Sequence, residues 1–158
     1  MAYTISFRKV EDKDLDFLIK LRKISMAKHL AYSGLVMTNE SHIKSVKKSF
    51  YESQIILRDR KPIGLIKMAV VALNNTTKSL HIKQFQILPN YQNKGIGSYV
   101  LMVVKKRALL MQLPITLNVL KRNPAKTLYI RNGFQIEGKT KLEFKMRCPL
   151  KSIVSSFS

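Results

Sequence analysis

Residues 3–10, YTISFRKV, alternate apolar and polar side chains and predict a strand with one covered face. In EDKDLDFLIKLRKISMAKHL that follows, Leu15, Leu18, Ile19 and Arg22 fall at helical spacing behind an acidic first turn, so the period changes from two to 3.6. TNESHIKSVKKSF opens on Thr38 and Asn39, both able to cap, and predicts a second short helix. SQIILRD and PIGLIKMAVVAL predict two strands joined by RDRKP, and LHIKQFQIL a third. Beyond these come a helix at about 96–112, a strand at PITLNVL, a short helix at about 124–131 and closing strands around FQIE and KLEFKMR. The order β-α-α-β-β-β-α-β-α-β-β indicates an α+β fold, a mixed sheet with helices packed on it.

At 158 residues the chain suits one domain, expected over 1–150, with 151–158 (KSIVSSFS in its last eight residues) as a flexible tail. No apolar run approaches the roughly 18 residues of a membrane-spanning helix, so no membrane partner is expected. The N-terminus lacks the layout of a secretory signal, and one cysteine, Cys148, cannot form an internal disulfide; the expected compartment is the cytoplasm. Lys and Arg number 29 against 9 Asp and Glu, giving a net charge of +20 that attracts anions. Three scattered histidines and the single cysteine offer no metal-ligand spacing, and no metal is expected.

The stretch ILPNYQNKGIGSYVL, residues 87–101, joins a strand to a helix. Pro89 removes a ladder donor and ends the strand, while Gly95 and Gly97 permit positive φ and close approach of a ligand to the backbone. Ile96, Val100, Val103, Val104 and Ala108 supply the buried face of the helix, so its first N–H groups, from Lys94 to Ser98, point out of a glycine loop and form an anion site. A dinucleotide fingerprint would need a third glycine where Val100 stands, and the spacing of a Walker A loop is absent. A second segment, NVLKRNPAKTLYIRNGF at 118–134, holds a capping Asn123, Pro124 at the first helical position and an Asn132-Gly133 stop around a helix of about two turns that contains Tyr129. Taken alone, that tyrosine reads as an amphipathic core residue with its hydroxyl at the surface.

Together these segments resemble the GNAT superfamily of N-acetyltransferases. Gln92-Asn93-Lys94-Gly95-Ile96-Gly97 matches the fixed positions of the family's Q/R-x-x-G-x-G/A loop. Asn123, Lys126, Leu128, Tyr129 and Gly133-Phe134 follow its N-x-x-A-x-x-L-Y segment, with Ala125 one place early. The resemblance, over residues 3–147, implies a mostly antiparallel sheet flanked by helices and the transfer of an acetyl group from acetyl-CoA to a primary amine, on a small molecule or a protein N-terminus. It implies further that backbone groups of Gln86, Ile87 and Leu88 bond the pantetheine arm, that the loop with Gln92, Asn93, Lys94, Gly95, Ile96, Gly97 and Ser98 holds the diphosphate, and that Asn123 and Lys126 belong to the cofactor-binding set. Tyr129 would protonate the departing thiolate, since a hydroxyl of pKa about 10 stays protonated at neutral pH.

Many family members carry a glutamate base on the strands flanking the loop, where this chain reads ITLNVL and LHIKQFQIL. His81 is the base candidate there, beside the plainer reading of a surface histidine and the alternative of proton removal through ordered water. An amine of pKa near 8 costs only about 1 kcal/mol to deprotonate near pH 7.4, against about 4 for a lysine-like amine, so a weaker base suits the site. The family's acceptor groove is built partly by the first two helices, which points to Met26, His29 and Tyr32, although helical packing explains Met26 equally. The positive charge makes polyamines less attractive acceptors. It also permits a second function, a basic nucleic-acid- or ribosome-associated binding protein, for which the sequence holds no recognisable motif. A third is a CoA-binding sensor without catalysis, which the missing carboxylate allows.

Overall fold

The computed structural model describes residues 2–34 and 36–158, with the backbone alone for 28–33. Seven strands form one sheet in the order β1-β2-β3-β4-β5-β7-β6: β1 Ile5–Lys9, β2 Ser53–Arg58, β3 Lys61–Ala72, β4 Lys78–Ile87, β5 Ile115–Leu120, β6 Gln135–Lys139 and β7 Glu143–Cys148. The pairs β1–β2, β2–β3, β5–β7 and β6–β7 are antiparallel, whereas β4–β5 is parallel. Helices α1 Leu15–Ser33, α2 Asn39–Lys47, α3 Ile96–Met111 and α4 Ala125–Arg131 fall where the 3.6-residue period puts them, in the expected order. A parallel neighbour needs a crossover, and α3 supplies it between β4 and β5.

The chain divides into two compact units, Met1–Lys67 with Gln84–Gln92, and Met68–Lys83 with Asn93–Ser158. In the first, Val10, Leu18, Leu21, Val46, Ile55 and Leu65 form a buried cluster between α1, α2 and the strands. The bidentate pair Arg8–Asp14 (2.7 and 2.8 Å) fixes the start of α1, where the Asp14 carboxylate also accepts the Glu11 N–H at 2.8 Å. Helix α2 is capped by Thr38, whose hydroxyl accepts the Ser41 N–H at 3.1 Å. Gly64 of β3 is required by a close approach: a Cβ there would lie 2.3 Å from the Gln86 carbonyl oxygen.

In the second unit Ile96, Val100, Leu101, Val104 and Ala108 of α3 are buried, together with Ile115, Leu117 and Val119 of β5. Leu101 and Lys105 take places on the buried face where the spacing predicted Val103, which is half-buried. The expected loose tail differs as well. Residues Leu150–Ser155 form a fifth helix, α5, with Ile153 fully buried, and Lys105 donates to the Ser156 hydroxyl at 3.3 Å. A short serine-rich segment carries too few apolar residues to show a helical period, so its single anchor is visible only in the packing.

Candidate active site

Strand β4 ends at Ile87, and a single 3-10 turn, Pro89–Tyr91, leads into the loop. The strand end is held internally: Leu88 N–H donates to Ile63 O (2.8 Å), Tyr91 N–H to Leu88 O (2.9 Å), and the Gln92 side-chain amide to Ile87 O (2.8 Å). The loop's leading glutamine therefore ties the turn to the strand. Among Gln86, Ile87 and Leu88, the Leu88 N–H is already committed, so a ligand would have to use other backbone groups of that segment.

Asn93 (φ 58°) and Gly95 (φ 83°) adopt left-handed conformations, and α3 begins at Ile96. The first intrahelical bond is Tyr99 N–H to Gly95 O at 3.1 Å, which leaves the N–H groups of Ile96, Gly97 and Ser98 for partners outside the helix. No side chain caps this end and its first turn holds no acidic residue. Its dipole and unpaired donors suit an anion. Nothing within 4 Å would meet a Cβ on Gly95, so its surroundings are open; Lys94 at the rim is exposed.

Gly97 departs from the expectation of positive φ: only Gly34, Gly95 and Gly133 among the described glycines have it. Gly97 is helical, and a Cβ there would sit 2.8 Å from Leu128 Cδ2, a methyl on α4. The missing side chain thus lets α4 approach the first turn of α3. Asn132 reinforces the contact, its side-chain amide donating to Ser98 Oγ (3.2 Å) and to Leu128 O (2.8 Å). Two ties fasten α4 to the anion-binding end of α3. The roles of Leu128 and Asn132 escaped the sequence reading because each is a partner more than 30 positions away in the chain, with no periodic signal.

Tyr129 follows Leu128 and is 6% exposed, its ring edge-on to Phe134 with centroids 5.6 Å apart. Burial pushes its hydroxyl well above the ordinary tyrosine range, so the group holds its proton throughout neutral pH. Asn123 caps α4 in the way the sequence predicts, its Oδ1 accepting the Ala125 N–H at 2.9 Å; that bond leaves the side-chain NH2 to serve a ligand. Lys126 lies over the Phe144 ring, 4.9 Å from its centroid, a cation–π contact on β7. The structure thus brings Gly97 and Ser98 against Leu128 and Asn132, packs the neighbouring Tyr129 on Phe134, and turns Lys126 toward β7.

His81 lies on β4 opposite Thr116, and its Nδ1 is 2.8 Å from Thr116 Oγ1, which is itself 2.7 Å from Ser79 Oγ. Burial, and then the charge of Lys83, lower its pKa, so the ring is neutral at pH 7. Thr116 is near the start of β5, four residues and so roughly 13 Å along the strand from its end, after which Asn123 and α4 follow. Met26 on α1 is half-buried, while the side chains of His29 and Tyr32 lie outside the described residues. Among the described residues no three His, Cys, Asp or Glu side chains are grouped as a metal site requires.

The family model described as an acetyltransferase (GNAT) domain matches residues 47–136, more than half of the chain and the run from β2 to the start of β6 that carries the loop and α4. The chain belongs to the GNAT acetyltransferase family. No curated protein matches it in sequence. Solved structures match this GNAT domain closely in fold. The PaiA N-acetyltransferase of Thermoplasma acidophilum, solved with coenzyme A, is 21% identical at a TM-score of 0.69 over 92% of this chain and 99% of that one. The spermidine N-acetyltransferase of Vibrio cholerae, solved with CoA and spermine, is 20% identical at 0.69 over 95% and 98%. An acetyltransferase of Thermus thermophilus is 17% identical at 0.70 over 91% and 95%.

Proposed function

We propose that the protein is an acetyl-CoA-dependent N-acetyltransferase that acetylates a primary amine by direct attack. The observation that carries the reading is the fastening of the uncapped α3 N-terminus to the α4 that bears Tyr129. A diphosphate fits the donors of Ile96, Gly97 and Ser98 beside the open Gly95, because that end has neither cap nor acidic neighbour. The neighbours solved with coenzyme A support the same ligand. Acetyl-CoA supplies the activated acetyl thioester. The side-chain NH2 of Asn123, left over from the cap, is a donor for its pantetheine arm. Tyr129 stays protonated at neutral pH and hydrogen-bonds the departing sulfur. Full proton transfer to a thiolate whose thiol has a pKa of about 8.5 is uphill, the more so because burial raises the tyrosine, so the proton passes only as the C–S bond breaks, and the proton lost by the amine to water restores the hydroxyl.

Neither β4 nor β5 carries a carboxylate, so the amine loses its proton through water, with neutral His81 as the alternative base on these strands. An amine of pKa near 8 suits that arrangement better than a lysine-like one. Although one neighbour was solved with spermine, a chain of net charge +20 disfavours a polyamine cation. Cys148 is buried and its thiol pushed up by that burial, which suits an inert thiol in a reducing cytoplasm.

The test is thiol release from acetyl-CoA against a panel of amines, with calorimetric CoA binding alongside. Turnover that depends on an amine supports the transferase. Tight CoA binding without turnover for any amine replaces it with the sensor reading, and absence of CoA binding rejects both.

A further inference from the structure

Asn132 closes α4, and its sequence context, Asn132-Gly133, announces only a helix stop. Its backbone N–H donates to Leu128 O (3.2 Å) and Tyr129 O (3.0 Å), and its side chain turns back on the first of these carbonyls: Nδ2 lies 2.8 Å from Leu128 O and 3.2 Å from Ser98 Oγ. A carbonyl oxygen only accepts, so the amide atom facing Leu128 O has to be the nitrogen, and this fixes which way the side chain is turned. Both hydrogens of the NH2 are then committed, one to Leu128 O and one to Ser98 Oγ.

The consequence falls on Ser98. Its oxygen is the acceptor in the bond with Asn132, so its own proton has to go to another group. A serine in a helix commonly returns that proton to the carbonyl four residues back, yet among the described residues the Ser98 hydroxyl donates to none. Ser98 is half-buried and third in α3, where its backbone N–H has no partner within the helix. One residue therefore offers an N–H and an O–H together, in a first turn that holds no acidic side chain.

We propose that Asn132 is a positioning residue for the acyl donor: by occupying the Ser98 oxygen it makes the Ser98 hydroxyl a donor, and Ser98 binds the diphosphate of acetyl-CoA through its side chain as well as its backbone. This rests on the transferase reading and deepens it. Ser98, Leu128 and Asn132 all lie in the second unit and touch one another there. A hydrogen bond to an anionic oxygen is stronger than the one to water that it replaces, so the arrangement of one amide is read out as affinity for the donor.

The experiment measures CoA binding by calorimetry for the full-length wild type, Ser98→Ala, Asn132→Ala and the double variant, with melting temperatures alongside. These substitutions leave the charge unchanged, so the general attraction of a chain of net charge +20 for phosphate is the same in all four. Each single variant should bind CoA about tenfold more weakly, the loss of one charge-assisted hydrogen bond, and the double variant should be within about threefold of Ser98→Ala, because the two residues act through one bond. Ser98→Thr, which keeps a hydroxyl, should restore most of what Ser98→Ala loses. Inorganic pyrophosphate, which presents the diphosphate alone, should raise the melting temperature of the wild type more than that of either single variant. An Asn132 that only stops the helix would lower the melting temperature and leave CoA affinity alone; that result, or losses at the two positions that add in full, overturns the inference while the transferase stands. If the wild type binds no CoA, the transferase reading falls and pyrophosphate decides: stabilisation reduced in both variants keeps the Asn132–Ser98 donor pair, and equal or absent stabilisation in all three rejects it.

Discussion

Replacing Gly97 by alanine separates two reasons for a glycine in the loop. A Cβ at Gly97 points at Leu128 Cδ2, 2.8 Å away, with Cδ1 at 3.6 Å and Cγ at 3.8 Å; it points toward α4. Leu128 is half-buried and its methyls are the end of a flexible side chain, so it can turn aside at a cost of about 0.5–1.5 kcal/mol for an off-rotamer χ. Alanine in place of glycine in a helix returns about 1 kcal/mol. The two nearly cancel, and the unfolding free energy of Gly97→Ala should lie within about 1 kcal/mol of wild type. CoA affinity should change less than about threefold, since the added methyl is directed at Leu128 and the donors of the first turn stay open. Tyr129 adjoins the leucine that has to move, and a displacement of around 1 Å at a reacting group costs up to about 100-fold, so kcat should fall between about 3- and 100-fold. A Gly97→Ala, Leu128→Ala double-mutant cycle should return a coupling of about 1 kcal/mol, because the smaller partner makes room for the methyl. Urea unfolding, calorimetric CoA titration and steady-state kinetics read the three quantities. A Gly97→Ala protein that folds normally but loses CoA affinity tenfold or more, with kcat unchanged and no coupling to Leu128, would refute the packing argument and restore ligand approach as the reason for the glycine.

Gly95→Val places a β-branched residue at φ 83°, costing about 1–2 kcal/mol in backbone strain, and should weaken CoA binding by shifting the start of α3; unchanged affinity in the folded variant would dissociate the loop from the ligand. Tyr129→Phe keeps the ring against Phe134 and should lower kcat roughly 100-fold with CoA affinity preserved, whereas a fully active phenylalanine variant removes the tyrosine from the chemistry. Asp14 has its carboxyl held below the ordinary range, first by the hydrogen bonds from Arg8 and then by the Glu11 N–H, against an opposing desolvation. Its pKa is lowered on folding, so its contribution is complete above the unfolded value near 3.9 and lost as pH falls through the folded value. Urea midpoints measured from pH 6 down to 2 should show that loss below about pH 4, and Asp14→Asn should cost roughly 1–2 kcal/mol at pH 7 by weakening the hydrogen bonds to the partly exposed Arg8 and flatten the acid limb; an unaltered limb would exclude Asp14 as its source.

The features legible in the sequence are those with a local cause. Alternation in YTISFRKV, the Thr38 cap and the asparagine-proline start of α4 each act within a few residues, and all appear where the pattern puts them. The loop is half legible in the same sense. The positive φ of Gly95 is a property of one residue's own backbone, which its lack of a Cβ announces. The need for Gly97 to be small is set by Leu128, 31 positions on, and the same letter in the same motif stands for a different constraint. This also explains why the Q/R-x-x-G-x-G/A pattern admits alanine only at its last position: a left-handed residue has no substitute for glycine without strain, whereas a packed helical residue tolerates a methyl if its neighbour yields.

Arg22 carries the same lesson further. At helical spacing with Leu15, Leu18 and Ile19 it reads as the polar end of an apolar stripe, and a lone arginine on a helix is ordinarily solvated. Only the folded unit shows that its Nε is sealed from water without a partner and that a buried His42 nearby has the same defect. Burial of a charge is decided by what the second helix covers, and the two side chains are 20 positions apart with no shared period. A donor desolvated without an acceptor raises the energy of the folded unit.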